Sequence, residues 1–224
     1  TLHNPDEIRR KDLRINDYVI VRRAGDVIPE VVSSIKERRD GTEEIWSLPT
    51  YCPCGDSTIE FNEDEKVPRC KKKLSCDLAK KEALIYFGSK SGLEIEGLGR
   101  ETVDMLLTEG LIENIGDIYN LEYNDLIKLP QWEEKKTNNI LSAIASSTEA
   151  PQDKLLTALG IRFVGKRTAQ LLIQNFNSIE GVFSADKSSI ENIHGISRSV
   201  SESISEWKSE KQNMRLIENL KKSG

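Results

Sequence analysis

Ile95-Glu96-Gly97-Leu98-Gly99 places an apolar residue between two glycines, just ahead of a segment with helical apolar spacing. With Gly99 as anchor, the pattern returns at Glu133, Gly165 and Ser197, at spacings of 34, 32 and 32 residues. Four positions before each anchor stand Ile95, Leu129, Ile161 and Ile193; one before stand Leu98, Trp132, Val164 and Ile196. Four after come the compact Val103, Thr137, Ala169 and Ser201, and seven after come Leu106, Ile140, Leu172 and Ile204. Offsets of +4 and +7 share one helical face, so a helix starts just after each anchor. The residues at −4 and −1 define a short turn entering it. Each unit therefore reads helix, tight hairpin, helix, with motifs near 95–107, 129–141, 161–173 and 193–205. A unit this short cannot bury its own apolar face, so the copies must pack on one another.

Glycine lets such a corner bend sharply and lets another backbone come close. The N–H groups exposed at the next helix start form a site for an anion such as phosphate. This is the helix-hairpin-helix pattern, whose contacts position a nucleic-acid backbone without reading bases. The copies differ. The first has Gly97 and Gly99. The third keeps Gly165 and adds Arg162, Lys166 and Arg167, while the fourth keeps Gly195 and adds Arg198. The second has no glycine and places Glu133 and Glu134 at the corner, where they favour the helix but repel phosphate. It is expected to be structural. The plainer reading makes all four copies mere packing units. A dinucleotide loop is excluded, because Thr102 stands where a third glycine is needed and no strand precedes.

All four cysteines fall between Cys52 and Cys76: Cys52-Pro53-Cys54, then Cys70 and Cys76. Two close pairs separated by a loop suit a four-thiolate zinc site, structural because the protein fills every position. The single residue between Cys52 and Cys54 is tighter than the usual spacing; the competing reading is reduced, metal-free thiols. The neighbouring run Arg69-Cys70-Lys71-Lys72-Lys73 is either a phosphate contact or simply a solvated face.

Residues 18–24 and 27–36 are rich in β-branched residues and joined at Gly25-Asp26, which predicts a hairpin, with Pro29 at an edge or bulge. Strand alternation sends Arg22 and Arg23 to opposite faces, so at most one serves a binding surface. Two or three strands in 48 residues are too few for a closed sheet.

The net charge of −5 hides an asymmetry: residues 81–150 carry 6 basic and 13 acidic side chains, residues 151–224 carry 11 and 8. Local potential rather than the sum governs phosphate binding, so the last quarter remains a candidate surface. His3 and His194 are the only histidines, and no nucleophile–base set of catalytic residues is evident. No apolar run approaches the ~20 residues of a membrane-spanning helix.

The stretch from Thr1-Leu2-His3-Asn4 through Asp6–Asp12, Arg14-Ile15-Asn16-Asp17 and Arg22–Val31 closely resembles the oligonucleotide-binding (OB) domain of bacterial NAD-dependent DNA ligases. The four-cysteine segment and the four hairpin units follow in that family's order, so the resemblance covers essentially the whole chain. It implies an enzyme that seals nicks in duplex DNA during replication and repair. NAD supplies AMP through a lysine in a Lys-x-Asp-Gly motif, and Mg²⁺ assists. This sequence contains no such motif. It resembles the C-terminal portion of the family without its terminal BRCT domain, and alone it is expected neither to bind NAD nor to seal nicks. By resemblance, Arg23, Val27 and Ile28 press into the minor groove near the nick. Gly97, Gly99, Arg162, Gly165, Lys166, Arg167, Gly195 and Arg198 belong to hairpins that clamp the backbones, and Cys52, Cys54, Cys70 and Cys76 to the zinc ligands. Cys54 arrives one residue early for the family, and Glu133 replaces a usual glycine.

The expected architecture is α+β and multidomain: a partial OB-fold β-segment over 1–48, a small four-cysteine zinc finger over 49–80 and an all-α domain of four helix-hairpin-helix motifs over 81–224. The expected protein is a monomeric, cytoplasmic, nucleoid-associated bacterial clamp on nicked double-stranded DNA, independent of sequence and without membrane contact. The rival is a non-enzymatic helix-hairpin-helix module for DNA repair or junction binding. A third reading, a zinc-stabilised protein-interaction scaffold, draws on the acidic 81–150 segment.

Overall fold

Four helices begin one residue after the four anchors. Gly99, Glu133, Gly165 and Ser197 are the N-caps of α3 (Arg100–Thr108), α5 (Glu134–Ser147), α7 (Lys166–Phe176) and α10 (Arg198–Ser209), in a computed structural model that describes residues 2, 4–25, 28–60 and 68–223. The preceding helices of the four units are α2 (Asp77–Gly88), α4 (Tyr123–Leu126), α6 (Gln152–Ala158) and α9 (Lys187–Glu191). A 3₁₀ segment, Ile115–Asn120, joins the first two units, α8 (Ile179–Ser184) joins the last two, and α11 (Lys211–Lys222) follows the array.

The apolar columns of the repeat are the core. Val103, Leu106, Ala169, Leu172 and Ile204 have no exposed surface, and Ile140 is 2% exposed. They sort into two clusters. Units one and two meet around Ile95, Leu98, Val103, Leu106, Leu129, Trp132 and Ile140. Units three and four meet around Ile161, Val164, Ala169, Leu172, Val200 and Ile204, with Ile193 and Ile196 half-buried against them. Leu155 of α6 and Leu216 and Leu220 of α11 pack on both clusters. The fold thus completes each short unit with its neighbour, as its lack of a private core requires. Each buried Leu or Ile contributes roughly 1.5–3 kcal/mol.

The chain forms two compact units, Thr1–Cys76 and Asp77–Gly224. The first begins with α1 (Pro5–Arg10), started by Pro5 at its first position and by Asn4, whose side chain accepts the Asp6 N–H at 3.0 Å. Its β1 (Arg14–Ile15) pairs with β4 (Glu44–Ile45), β2 (Val19–Ala24) with β3 (Ile28–Ser34) and β5 (Ile59–Glu60) with β6 (Arg69–Cys70), all antiparallel. In the β2–β3 ribbon Ile20 faces Ser33 and Val21 faces Val31, leaving Val32 as the extra residue of a bulge. Arg39 ties the segment together: it reaches Asp17 at 2.7 and 2.8 Å and the Asp12 carboxylate at 3.1 Å. The Arg39 guanidinium holds the Asp17 carboxyl down at about 2. Among the described residues no sheet exceeds two strands, and Val19, Ile20, Val21, Ile28 and Val32 remain exposed. The fold is α+β, with an OB-type segment, a four-cysteine cluster and a helical hairpin array. No helix among the described residues is long and apolar enough to cross a membrane.

Candidate functional site

One backbone turn recurs at all four corners. The N–H at −1 donates to the carbonyl at −4: Leu98 to Ile95 at 3.1 Å, Trp132 to Leu129 at 3.1 Å, Val164 to Ile161 at 3.0 Å and Ile196 to Ile193 at 3.1 Å. The residue at −2 is left-handed every time, with φ of +87° at Gly97, +63° at Gln131, +61° at Phe163 and +90° at Gly195. The anchors themselves are extended, with φ between −120° and −86°.

The two glycine positions therefore differ. At Gly97 and Gly195 the backbone needs glycine's freedom, and the corner also packs on the neighbouring unit. A Cβ on Gly97 would lie 3.7 Å from Ile140, and one on Gly195 3.7 Å from Leu171. At Gly99 and Gly165 neither condition holds. Their φ values suit any residue, and, their chain neighbours aside, a Cβ would meet no atom of the described residues within 4 Å. Nothing among the described residues requires glycine there, which leaves room for an outside group to approach. None of the four anchors caps its helix with a side chain, so the first-turn N–H groups of α3, α5, α7 and α10 are not taken by a cap. Gly97, Gly99, Gly165 and Gly195 all lie at the surface.

The cations separate the copies further. Lys166 and Arg167 are exposed and enter no ion pair among the described residues. The Arg162 guanidinium stands 4.4 Å from the centre of the Phe163 ring, and Arg198 bonds Glu202 at 2.8 Å. Arg100 was not among the sequence candidates, although the column after the anchor contains it: Arg100, Glu134, Lys166 and Arg198. It grips Glu82 through both nitrogens, at 2.7 and 3.0 Å, which lowers the Glu82 carboxyl from its usual range. In the second copy Lys136 covers the Trp132 ring at 4.5 Å and Trp132 Nε1 donates to Met105 Sδ at 3.2 Å. Phe163, exposed at the third corner, was also missed, because only its backbone conformation singles it out.

In the first unit Arg23 is exposed opposite Pro29, and Ile28 is exposed opposite Ala24; Val27 lies outside the described residues. Arg22 is engaged with Glu30 at 2.9 Å.

The cysteines converge. Cys52 N–H donates to Ser57 O at 2.7 Å, Gly55 N–H to Cys52 O at 3.0 Å, and Gly55 is left-handed at φ +82°. This turn folds Cys54 back beside Cys52 despite the single intervening residue. The β5–β6 pair delivers Cys70, and the 3₁₀ turn Lys73–Ser75 delivers Cys76. All four sulfurs lie within 4.8 Å of one another, with Cys52–Cys76 and Cys54–Cys70 each at 4.0 Å. These separations are far beyond a disulfide bond of ~2.05 Å. They approach the edge of a tetrahedron with Zn–S of ~2.3 Å, about 3.8 Å. The four thiols therefore fit a metal such as zinc. Burial raises the Cys70 thiol, but the Lys72 N–H and Ser57 hydroxyl draw it down, to about 7 overall. At Cys52 the Cys54 N–H lowers the thiol, while burial and the neighbouring sulfurs carry it up to about 12. A cation at the centre of the set would hold the sulfurs as thiolates.

A family model described as the NAD-dependent DNA ligase OB-fold domain matches residues 1–43, and one described as the helix-hairpin-helix motif matches residues 154–217. A protein called DNA ligase from Halothermothrix orenii is 41% identical over 224 residues, all of this chain and 33% of the relative. One of the same name from Pelotomaculum thermopropionicum is 40% identical over 225 residues, again all of this chain and 33% of the relative. The chain spans about a third of the length of these relatives. With a ligase OB-domain model that matches at its start and two DNA ligases that align over all of this chain but a third of their own length, the chain is similar to a C-terminal portion of NAD-dependent DNA ligases.

Proposed function

We propose that this chain is the part of a nick-sealing ligase that holds duplex DNA, gripping phosphates at the hairpin corners without reading sequence. The observation that carries this reading is the pair Gly99 and Gly165: extended, surface-exposed glycines at helix starts, with open space where a side chain would stand. In this reading the first-turn amides of α3, α7 and α10 donate to phosphate oxygens, and Arg162, Lys166, Arg167 and Arg198 supply the charge. The second corner supports the first through packing, since Glu133 and Glu134 repel phosphate. Arg23 and Ile28 of the β2–β3 ribbon contact the minor groove, together with Val27. Cys52, Cys54, Cys70 and Cys76 hold zinc, which supplies a cross-link for a short loop and no reaction chemistry.

The whole protein joins the nick with NAD as the source of AMP and with Mg²⁺. This chain, without the lysine that receives AMP, neither binds NAD nor seals. The protein acts as a monomer in the bacterial cytoplasm.

Anisotropy titration of the chain on a fluorescent nicked duplex at 50 and 200 mM salt tests this. Each phosphate neutralised contributes about −0.9 to the slope of log K against log salt, so four or five contacts give a slope near −4, about two orders of magnitude over that range. Unrelated sequences should bind within a few-fold of one another. A flat salt response, or no binding at 50 mM, would overturn the reading. Incubation of the chain with NAD, Mg²⁺ and the nicked duplex should give no joined strand.

A further inference from the structure

The left-handed position of the third corner holds a phenylalanine. Copies one and four place glycine there, Gly97 and Gly195, which takes that conformation without steric conflict. A bulky residue is disfavoured at φ +61°, and burial does not compensate for it. Phe163 belongs to neither core cluster and is 51% exposed. Among the described residues of Asp77–Gly224 it is the most exposed large apolar side chain, ahead of Leu78 at 45% and Tyr123 at 37%.

Its surroundings are cationic. Arg162 stacks on the ring at 4.4 Å, Lys166 and Arg167 follow on the first turn of α7, and the intervening Gly165 is open to approach. The second corner is the contrast: Gln131 fills the same position, followed by the acidic Glu133 and Glu134. The exposed ring occurs where the phosphate-binding charges occur. An aromatic plate among cations is the usual form of a surface that tracks a nucleic-acid strand. In an intact duplex the bases are stacked inside, so the apolar surface beside a phosphate is the C–H edge of the deoxyribose.

We propose that Phe163 is a DNA-contacting residue, its ring lying against the deoxyribose beside the phosphate held at the start of α7. This rests on the reading of the hairpins as phosphate grips and adds an apolar contact to it.

The test compares the 224-residue chain with Phe163→Gly, Phe163→Asn, Phe163→Tyr and Lys166→Ala, measuring duplex affinity at several salt concentrations and thermal midpoints. Phe163→Gly and Phe163→Asn should each weaken binding about five- to tenfold with the salt slope unchanged, the size of a lost apolar ring contact. Phe163→Tyr should bind within about twofold of the parent. The glycine variant should melt no lower than the parent, because the corner loses a disfavoured conformation. Lys166→Ala should instead flatten the slope by about 1. Unchanged affinity in both ring-deleted variants overturns the inference. So does a loss that flattens the slope as Lys166→Ala does, since Phe163 would then act only through the charge of Arg162. If the glycine variant folds poorly, Phe163→Asn decides, because asparagine tolerates the left-handed region. A parent chain that does not bind DNA sinks the hairpin reading itself, a result distinct from a parent that binds and a Phe163 that does not matter.

Discussion

Replacing Gly97 and Gly99 separately by alanine should give opposite results, though they stand two residues apart. Gly97 has φ +87°, and an L side chain there costs about 1–2 kcal/mol. The added Cβ meets Ile140 at 3.7 Å, ordinary contact, so no clash adds to that cost. Lower entropy of the unfolded chain returns about 0.4–1 kcal/mol in any Gly→Ala change. Gly97→Ala should therefore destabilise by about 1 kcal/mol net. For a unit the size of Asp77–Gly224 that is about 2–4 °C in midpoint. At Gly99 the backbone is extended and the space empty, so only the entropy term remains and stability should hold or rise by up to about 1 kcal/mol. Its methyl group would stand in the path of an approaching phosphate, and Gly99→Ala should weaken duplex binding several-fold. Urea or thermal unfolding and anisotropy titration on the same preparations separate the two. If Gly99→Ala destabilised as much as Gly97→Ala, the glycine would serve the fold, and the argument from open space would fail.

The thiol cluster should take one zinc per chain by elemental analysis, and Cys76→Ser should weaken zinc by more than the roughly 10–100-fold that outer-shell changes cost, read by competition with a chromophoric chelator. A wild-type chain that never binds stoichiometric zinc would refute the site. Asp17, held at about 2 by Arg39 against an ordinary value of 3.8, binds protons more readily unfolded than folded. Its contribution to the Thr1–Cys76 unit should be complete above pH 3.8 and disappear as pH falls toward 2. Asp17→Asn should remove that dependence, and an unaltered acid profile in the variant would count against the Arg39 tie.

How much of this was legible in the residues depends on how local each feature is. The corners were read to the residue, because an apolar pair at −4 and −1 joined by one hydrogen bond is a property of five consecutive residues. The second corner shows where such reading stops. Lacking glycine, it departs from the motif, yet Gln131 takes the same left-handed turn at φ +63°. Burial of Leu129 and Trp132 in the shared core holds it there, an influence from residues far along the chain. The sequence also treats Gly97 and Gly99 alike, and only dihedral angles and surrounding space show that the turn requires glycine at 97 while the backbone at 99 is extended and open. Arg100 was readable in the column after the anchor, but its engagement with Glu82, eighteen residues away, was not.

By itself, then, the order of residues determined the number and position of the hairpins, the strand-rich start and the four-thiol set, since each follows from short-range spacing and side-chain chemistry. Tertiary structure decided that units pair as one with two and three with four, that α11 packs on both cores, and that the four sulfurs gather within 4.8 Å of one another. Those outcomes depend on which apolar faces bury one another, and equivalent faces repeated four times in one chain leave that choice to packing.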